Sequence, residues 1–181
     1  MRIKTSLLAF AACLALTGCD TFTAATYSPS MTDLEMLKPL APANVTVGSF
    51  TGPADASMQC RLAGPIHLPG DVAPQDYVAQ SLAGELNFAG LSGGTGPGVT
   101  LTGSLTTFEF NSMIGNGNWQ LAETVTSSNG KSVSISNRYD FHASYTADAA
   151  CDDVANAFEP AVQALNQKLI SDPGFPALLK H

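Results

Sequence analysis

Apolar positions recur along this chain with two different periods, and the switches between them mark its elements. Asn44 to Phe50 alternates apolar and polar residues, which predicts a first strand. A loop rich in Gly, Pro and Asp follows and carries Cys60, Arg61 and the segment from Gly64 to Gly70. From Asp71–Gln75 onward the period lengthens. Val78, Leu82, Leu86 and Ala89 recur at spacings of four and three, which predicts a helix with one apolar stripe. Pro74 suits its first turn, and Gly90 suits the left-handed position just past its end. Gly84 inside it costs about 1 kcal/mol relative to Ala and permits close packing on a sheet.

Three strands are then predicted in succession. Val99 to Phe110 begins with Val99, Leu101 and Leu105 on one face, but Phe108 and Phe110 fall on the opposite parity. A bulge near Thr106-Thr107 reconciles the two. Asn118 to Thr126 has Trp119, Leu121 and Val125 in phase. Ser128-Asn129-Gly130 is a hairpin signal, because Asn-Gly readily takes left-handed conformations. Lys131 to Tyr145 alternates throughout, with Val133, Ile135, Tyr139, Phe141, Ala143 and Tyr145 on one side. Its other side is polar and includes Ser132, Ser134, Ser136, Arg138, Asp140, His142 and Ser144. One face is thus buried and one is open.

A last helical stripe runs through Cys151, Val154, Phe158, Val162, Leu165 and Leu169, with Asp148 as its expected N-cap. Pro160 interrupts it and predicts a kink or two abutting helices near Phe158. Asp172-Pro173-Gly174 ends it, and the apolar tail Phe175, Leu178, Leu179 is expected to fold back on the core. The order β-α-β-β-β-α predicts an α+β fold. Its simplest form is a two-layer sandwich, a four-stranded, mostly antiparallel sheet with two helices on one face.

The N-terminal region changes the picture from any α+β domain to one with an address. Arg2 and Lys4 precede an apolar run from Leu7 to Leu16, too short for the ~20 residues of a spanning helix. Leu16-Thr17-Gly18-Cys19 follows. This arrangement resembles the lipobox of bacterial lipoproteins. The resemblance implies that residues 1–18 are a signal peptide, that Cys19 becomes the lipidated N-terminus, and that the body faces the periplasm. Mature proteins of this kind carry three acyl chains, enough for stable anchoring where one is marginal. In enteric bacteria Asp at the next position, here Asp20, keeps such proteins in the inner membrane, which favours that membrane over the outer one.

Asp20 to Ser30 has no period, and Leu34, Met36, Leu37 and Leu40 sit among Pro39 and Pro42. Residues 19–43 are therefore expected to be a lipidated Cys and a flexible tether, spanning roughly 25–30 Å as a coil. The Leu34–Leu40 patch is expected to dock on its own domain. Residues 44–181 are expected to be a single globular domain.

Charge excludes some partners. Beyond residue 18, 6 of the 8 basic residues remain against 15 acidic ones, a formal charge of −9. That argues against nucleic acid and against an electrostatic grip on anionic lipid. Of the four cysteines, Cys13 leaves with the leader and Cys19 takes lipid. In an oxidising compartment the remaining pair, Cys60 and Cys151, is most simply a disulfide, the alternatives being two buried thiols or a redox pair.

Candidate chemistry is sparse. His67 lies in a Pro/Gly loop, His142 on the polar strand face and His181 at the C-terminus, none at zinc-motif spacing. No metal or cofactor is expected. Ser144, His142 and Asp140 share one strand face, but such neighbours lie ~6.5–7 Å apart, too far for a hydrogen-bonded relay. The Gly-rich run 92–98 does not lead from strand to helix as a phosphate loop must. The open sheet face is the candidate partner surface: Thr100, Thr102, Ser104, Ser132, Ser134, Ser136, Arg138 and His142, with Gln120 and Thr124 among them.

With its lipobox, tether and small sheet under two helices, the chain is similar in topology to small envelope lipoproteins of Gram-negative bacteria. These include the YajG-type lipoproteins, the auxiliary lipoproteins of envelope ABC transporters and the lipoprotein plug of the lipopolysaccharide translocon. The similarity implies a non-catalytic binding or scaffolding role in an envelope transport or assembly complex. The alternatives are an envelope hydrolase or peptidoglycan-active enzyme, and a ligand-binding or inhibitor module using loops 61–70 or 111–118.

Overall fold

A glycine and a bulge shape the central strand pair. The fold comes from a computed structural model, which describes residues 22–53 and 56–181. In chain order the elements are β1 (Phe22–Thr23), α1 (Met31–Leu37), β2 (Val45–Thr51), β3 (Gln59–Cys60), β4 (Gly64–His67) and α2 (Pro74–Phe88), then β5 (Val99–Asn111), β6 (Gly117–Ser127), β7 (Ser132–Phe141), α3 (Ala147–Ser171) and α4 (Phe175–Leu178). The architecture is α+β. The main sheet has the order β2-β5-β6-β7, with β2 parallel to β5 and the rest antiparallel. On β5 the register shifts between Leu105 and Thr107, where the change of parity predicts a bulge. Leu105 and Phe108 consequently both face the core. Gly103 has no Cβ because the Phe50 ring occupies that space.

The hairpin between β6 and β7 closes as the Asn-Gly pair predicts. Ser127 N–H donates to the Lys131 carbonyl at 2.8 Å, and Gly130 adopts φ +84°. Helix α2 ends in a Schellman motif: Leu91 N–H donates to the Leu86 carbonyl and Gly90 N–H to that of Asn87, with Gly90 at φ +75°. Leu91 then buries its side chain.

Both long helices cover the same sheet face. Val78, Leu82 and Leu86 of α2 and the predicted stripe of α3, Cys151 to Leu169, are buried. Trp119 sits between Phe108, Phe110 and Phe158, with ring centroids 4.8–5.3 Å away, and its Nε1 donates to the Val154 carbonyl at 2.9 Å. Phe175 and Leu178 of α4 close the core at the end near the hairpin, where Asn129 Nδ2 donates to the Ala177 and Lys180 carbonyls.

Four expectations are corrected. The described part of the expected tether, residues 22–43, is structured. β1 pairs in parallel with β4, which pairs antiparallel with β3, forming a second, three-stranded sheet. Phe22 is buried there, Leu37 is buried on α1, which packs against α3 and α2, and Ser30 caps α1 by accepting from Asp33 N–H. Pro160 does not divide the last helix. α3 runs unbroken through it, since Phe158, Ala161 and Val162 all pack into the core and outweigh one lost backbone hydrogen bond. Its N-cap is Thr146, not Asp148. β7 stops at Phe141, so Tyr145 leaves the apolar row and is exposed. Cys19 and its box lie outside the described residues.

Candidate functional site

The open sheet face follows from register. Across β5, β6 and β7 the outward rows are Thr102–Thr126–Ser132 and Ser104–Thr124–Ser134, then Ala122–Ser136 and Gln120–Arg138. Thr100 continues the face toward the hairpin end, and His142 lies just past β7 at the other end. All eight candidate residues therefore lie on or beside one surface, and among the described residues no element covers it. Thr100, Thr102, Ser132, Ser134, Ser136, Arg138 and His142 are exposed, and Ser104 is half-buried.

Most of the surface is short hydroxyl chains, some of them bonded to one another or to the sheet. Thr124 Oγ1 and Ser134 Oγ lie 2.8 Å apart, and Thr106 Oγ1 donates to the Ala122 carbonyl. Such chains have little rotamer entropy to lose on contact. Arg138 Nε donates to Asp140 Oδ1 at 2.8 Å, both groups exposed. That pair and His142 edge a cleft also lined by Gly115 and Gly117. Asp140 is thus engaged by Arg138, while Ser144 N–H donates to Asp153 Oδ2. Among the described residues no hydrogen bond joins His142 to either. Asp153, on the second turn of α3, thereby holds the loop that follows β7.

The face ends at a pole built on Cys60 and Cys151, which form a disulfide with Cα atoms 5.8 Å apart, joining β3 to α3. The turn beginning at Cys60 closes with Ala63 N–H donating to the Cys60 carbonyl, and Arg61 takes a left-handed φ of +48°. That conformation costs a non-glycine residue ~1–2 kcal/mol. Its guanidinium compensates. Nη1 donates to the Tyr145 and Thr146 carbonyls, Nε to Ser112 Oγ, and Nη2 to the Ser112 carbonyl. One side chain thereby joins three loops distant in sequence, a link that no local pattern announces.

A second polar cluster, unforeseen from the sequence, lies beneath the N-terminal segment. Glu85 of α2 accepts from the Tyr27 hydroxyl at 2.5 Å and from Ser30 N–H at 2.9 Å. Asn166 of α3 donates to the Tyr27 hydroxyl and to Ser81 Oγ. Ser28 N–H donates to Glu159, while Gln163 donates to the Ser28 carbonyl. Asp33 lies buried nearby with both carboxylate oxygens unpartnered. Burial, then the neighbouring Glu85, pushes the Asp33 carboxyl up to about 7. Burial also raises Glu85, against the lowering effect of its two hydrogen bonds. The Tyr27 phenol is raised above its ordinary range by burial and its bond to Glu85. This cluster latches the segment to both helices.

Glu123 is the other misplaced charge. It stands in phase with Trp119, Leu121 and Val125, faces the core, and has both oxygens unpartnered. Desolvation pushes it up to about 8. That parity was the signal by which sequence could have found it. Glu123 is almost wholly buried, so its ionisation bears on stability.

No protein-family model matches this chain, and no curated protein does. Among solved structures it is similar to the crystal structure of protein XCC0632 from Xanthomonas campestris, of the DUF330 family. The TM-score is 0.59 at 12% identity, covering 87% of this chain and 96% of that one. At such identity the likeness is one of fold.

Proposed function

We propose that this chain is a lipid-anchored protein of the bacterial envelope that holds or positions another envelope component through its open sheet face, without catalysis. The lipid would sit on Cys19, and the leading context is a transport or assembly complex. The observation that carries the reading is the pairing of a lipobox-like sequence at Leu16–Cys19 with a Cys60–Cys151 disulfide. A disulfide of this kind belongs to an oxidising compartment, where such a leader would deliver the chain.

The face supports the binding half of the reading. It is uncovered among the described residues and made largely of short hydroxyl chains over three strands, with a charged end at Arg138 and Asp140. A partner surface or glycan hydroxyls fit it chemically.

The test is photo-crosslinking in intact cells from positions Thr102 and Ser134, with Phe88 on α2 as a control away from the face. The reading predicts a discrete crosslinked product from 102 and 134 and none from 88, and loss of the Ser134 product when Thr102 is replaced by Arg. Equal, diffuse products from all three positions would remove the face.

A further inference from the structure

We infer that the pole built on Arg61 is a membrane-contacting tip, which seats its exposed apolar side chains in the surface of the bilayer that carries the anchor. This rests on the proposed lipidation of Cys19.

Four large apolar residues crown the three loops that Arg61 joins. Leu62 is fully exposed, Tyr145 is 80% exposed, Met113 62% and Ile114 52%. Their backbones are fixed relative to one another. Arg61 holds Ser112, Tyr145 and Thr146. Gly115 N–H donates to the Ala143 carbonyl at 2.8 Å, and Asn116 N–H to that of Met113. The disulfide ties the base of the same turn to α3. A rigid cluster of Leu, Ile and Met with a Tyr beside it matches what a lipid interface takes up: aliphatic chains at the acyl boundary, an amphipathic ring at the headgroups.

The chain path says what covers it. Phe22 pairs with Ile66 and Thr23 with His67 in parallel, so the first described residue stands beside β4, two positions from Gly64, where the Arg61–Ala63 turn enters that strand. A Cβ on Gly64 would lie 3.7 Å from the Phe22 ring. Cys19 is three residues before Phe22, and three residues reach at most ~11 Å. An acyl chain on Cys19 would therefore be tied within that distance of Phe22, beside the small sheet that leads into this pole. The charge nearby defines the kind of contact. Arg61 spends its guanidinium on carbonyls and a hydroxyl, and Asp148 and Asp152 stand exposed at the start of α3. The contact is apolar, suits a zwitterionic surface, and is insensitive to salt.

The test uses the full chain purified from envelopes, with the lipid status of Cys19 read by mass spectrometry. It is reconstituted in phosphatidylethanolamine–phosphatidylcholine vesicles carrying lipids brominated near the headgroup. Leu62→Trp, Ile114→Trp and the control Phe88→Trp are compared by fluorescence; Trp119 is buried and gives a common background. An about twofold or greater loss of emission at positions 62 and 114, with none at 88, is expected at low and high salt. If the lipidated protein floats with the vesicles but 62 and 114 behave like 88, the tip is overturned while the anchor stands. Shielding of these positions by a protein partner instead of lipid gives that same result. If Cys19 carries no lipid, the functional reading fails. The unanchored protein then decides the tip by itself: quenching at 62 and 114 supports it, and none overturns it.

Discussion

Phe22 pairs with Ile66 in parallel register, which makes the first described residues a structural edge of the domain and not a spacer. Its side chain is buried against the small sheet, and the segment after it is latched to α2 and α3 through Tyr27, Ser28 and Ser30. Replacing Phe22 by Ala should cost about 3–5 kcal/mol, the range for deleting a buried aromatic ring. Chemical denaturation would read this directly. A free tether would show no change.

The disulfide closes a separation of 91 residues. In the chain-entropy account its removal costs about 4–5 kcal/mol. Cys60→Ser combined with Cys151→Ser should lower the unfolding free energy from chemical denaturation by about that amount. It should also loosen the pole, since the Arg61 turn starts at Cys60. Faster amide exchange at Ala63 and Gly115, beyond that at Gly103 in the sheet, is the expected signature.

Glu123 makes stability depend on pH in a defined direction. Its native carboxyl titrates at about 8 against an ordinary 4.5, because burial disfavours the charge. The native state then holds the extra proton between those values, so this group's contribution to stability is fully present below about pH 4.5 and is lost as pH rises toward 8. The loss by pH 7 is roughly 3 kcal/mol. Glu123→Gln should flatten that slope and leave the protein more stable than wild type at pH 8. An unchanged slope in denaturation series across pH would show the charge to be solvated.

Asp33 and Glu85 act more locally. Raising the pH through 7 ionises Asp33, held up by burial and by Glu85 beside it, against a second carboxylate under the N-terminal segment. Amides of Leu34 and Leu37 should therefore lose hydrogen-exchange protection between pH 6 and 8.5, relative to those of β6. Asp33→Asn should keep the protection at both pH values.

The elements themselves were legible in the sequence because their signals are local. The parity change at Thr106, the Asn129-Gly130 turn, the Gly90 stop and the stripe from Cys151 to Leu169 each need only a few neighbouring residues. What was illegible is nonlocal. Nothing between Asp20 and Ser30 is periodic, since Phe22 is ordered by a strand 44 positions on, and Tyr27 by Glu85 and Asn166. The pole is assembled by one arginine from residues near 61, 112 and 145. The candidate face was legible because strand parity alone sorts Thr102, Ser132 and Ser134 outward. Tyr145 followed the same rule in sequence and broke it in structure, because β7 ended four residues earlier.

The central claim is that the chain is held in the envelope by lipid on Cys19. Mass spectrometry of the N-terminal peptide of protein isolated from bacterial membranes tests it most directly. The account predicts a chain beginning at Cys19, its sulfur carrying diacylglycerol and its amine acylated. A chain that retains residues 1–18, or one that begins elsewhere with an unmodified Cys19, would contradict it.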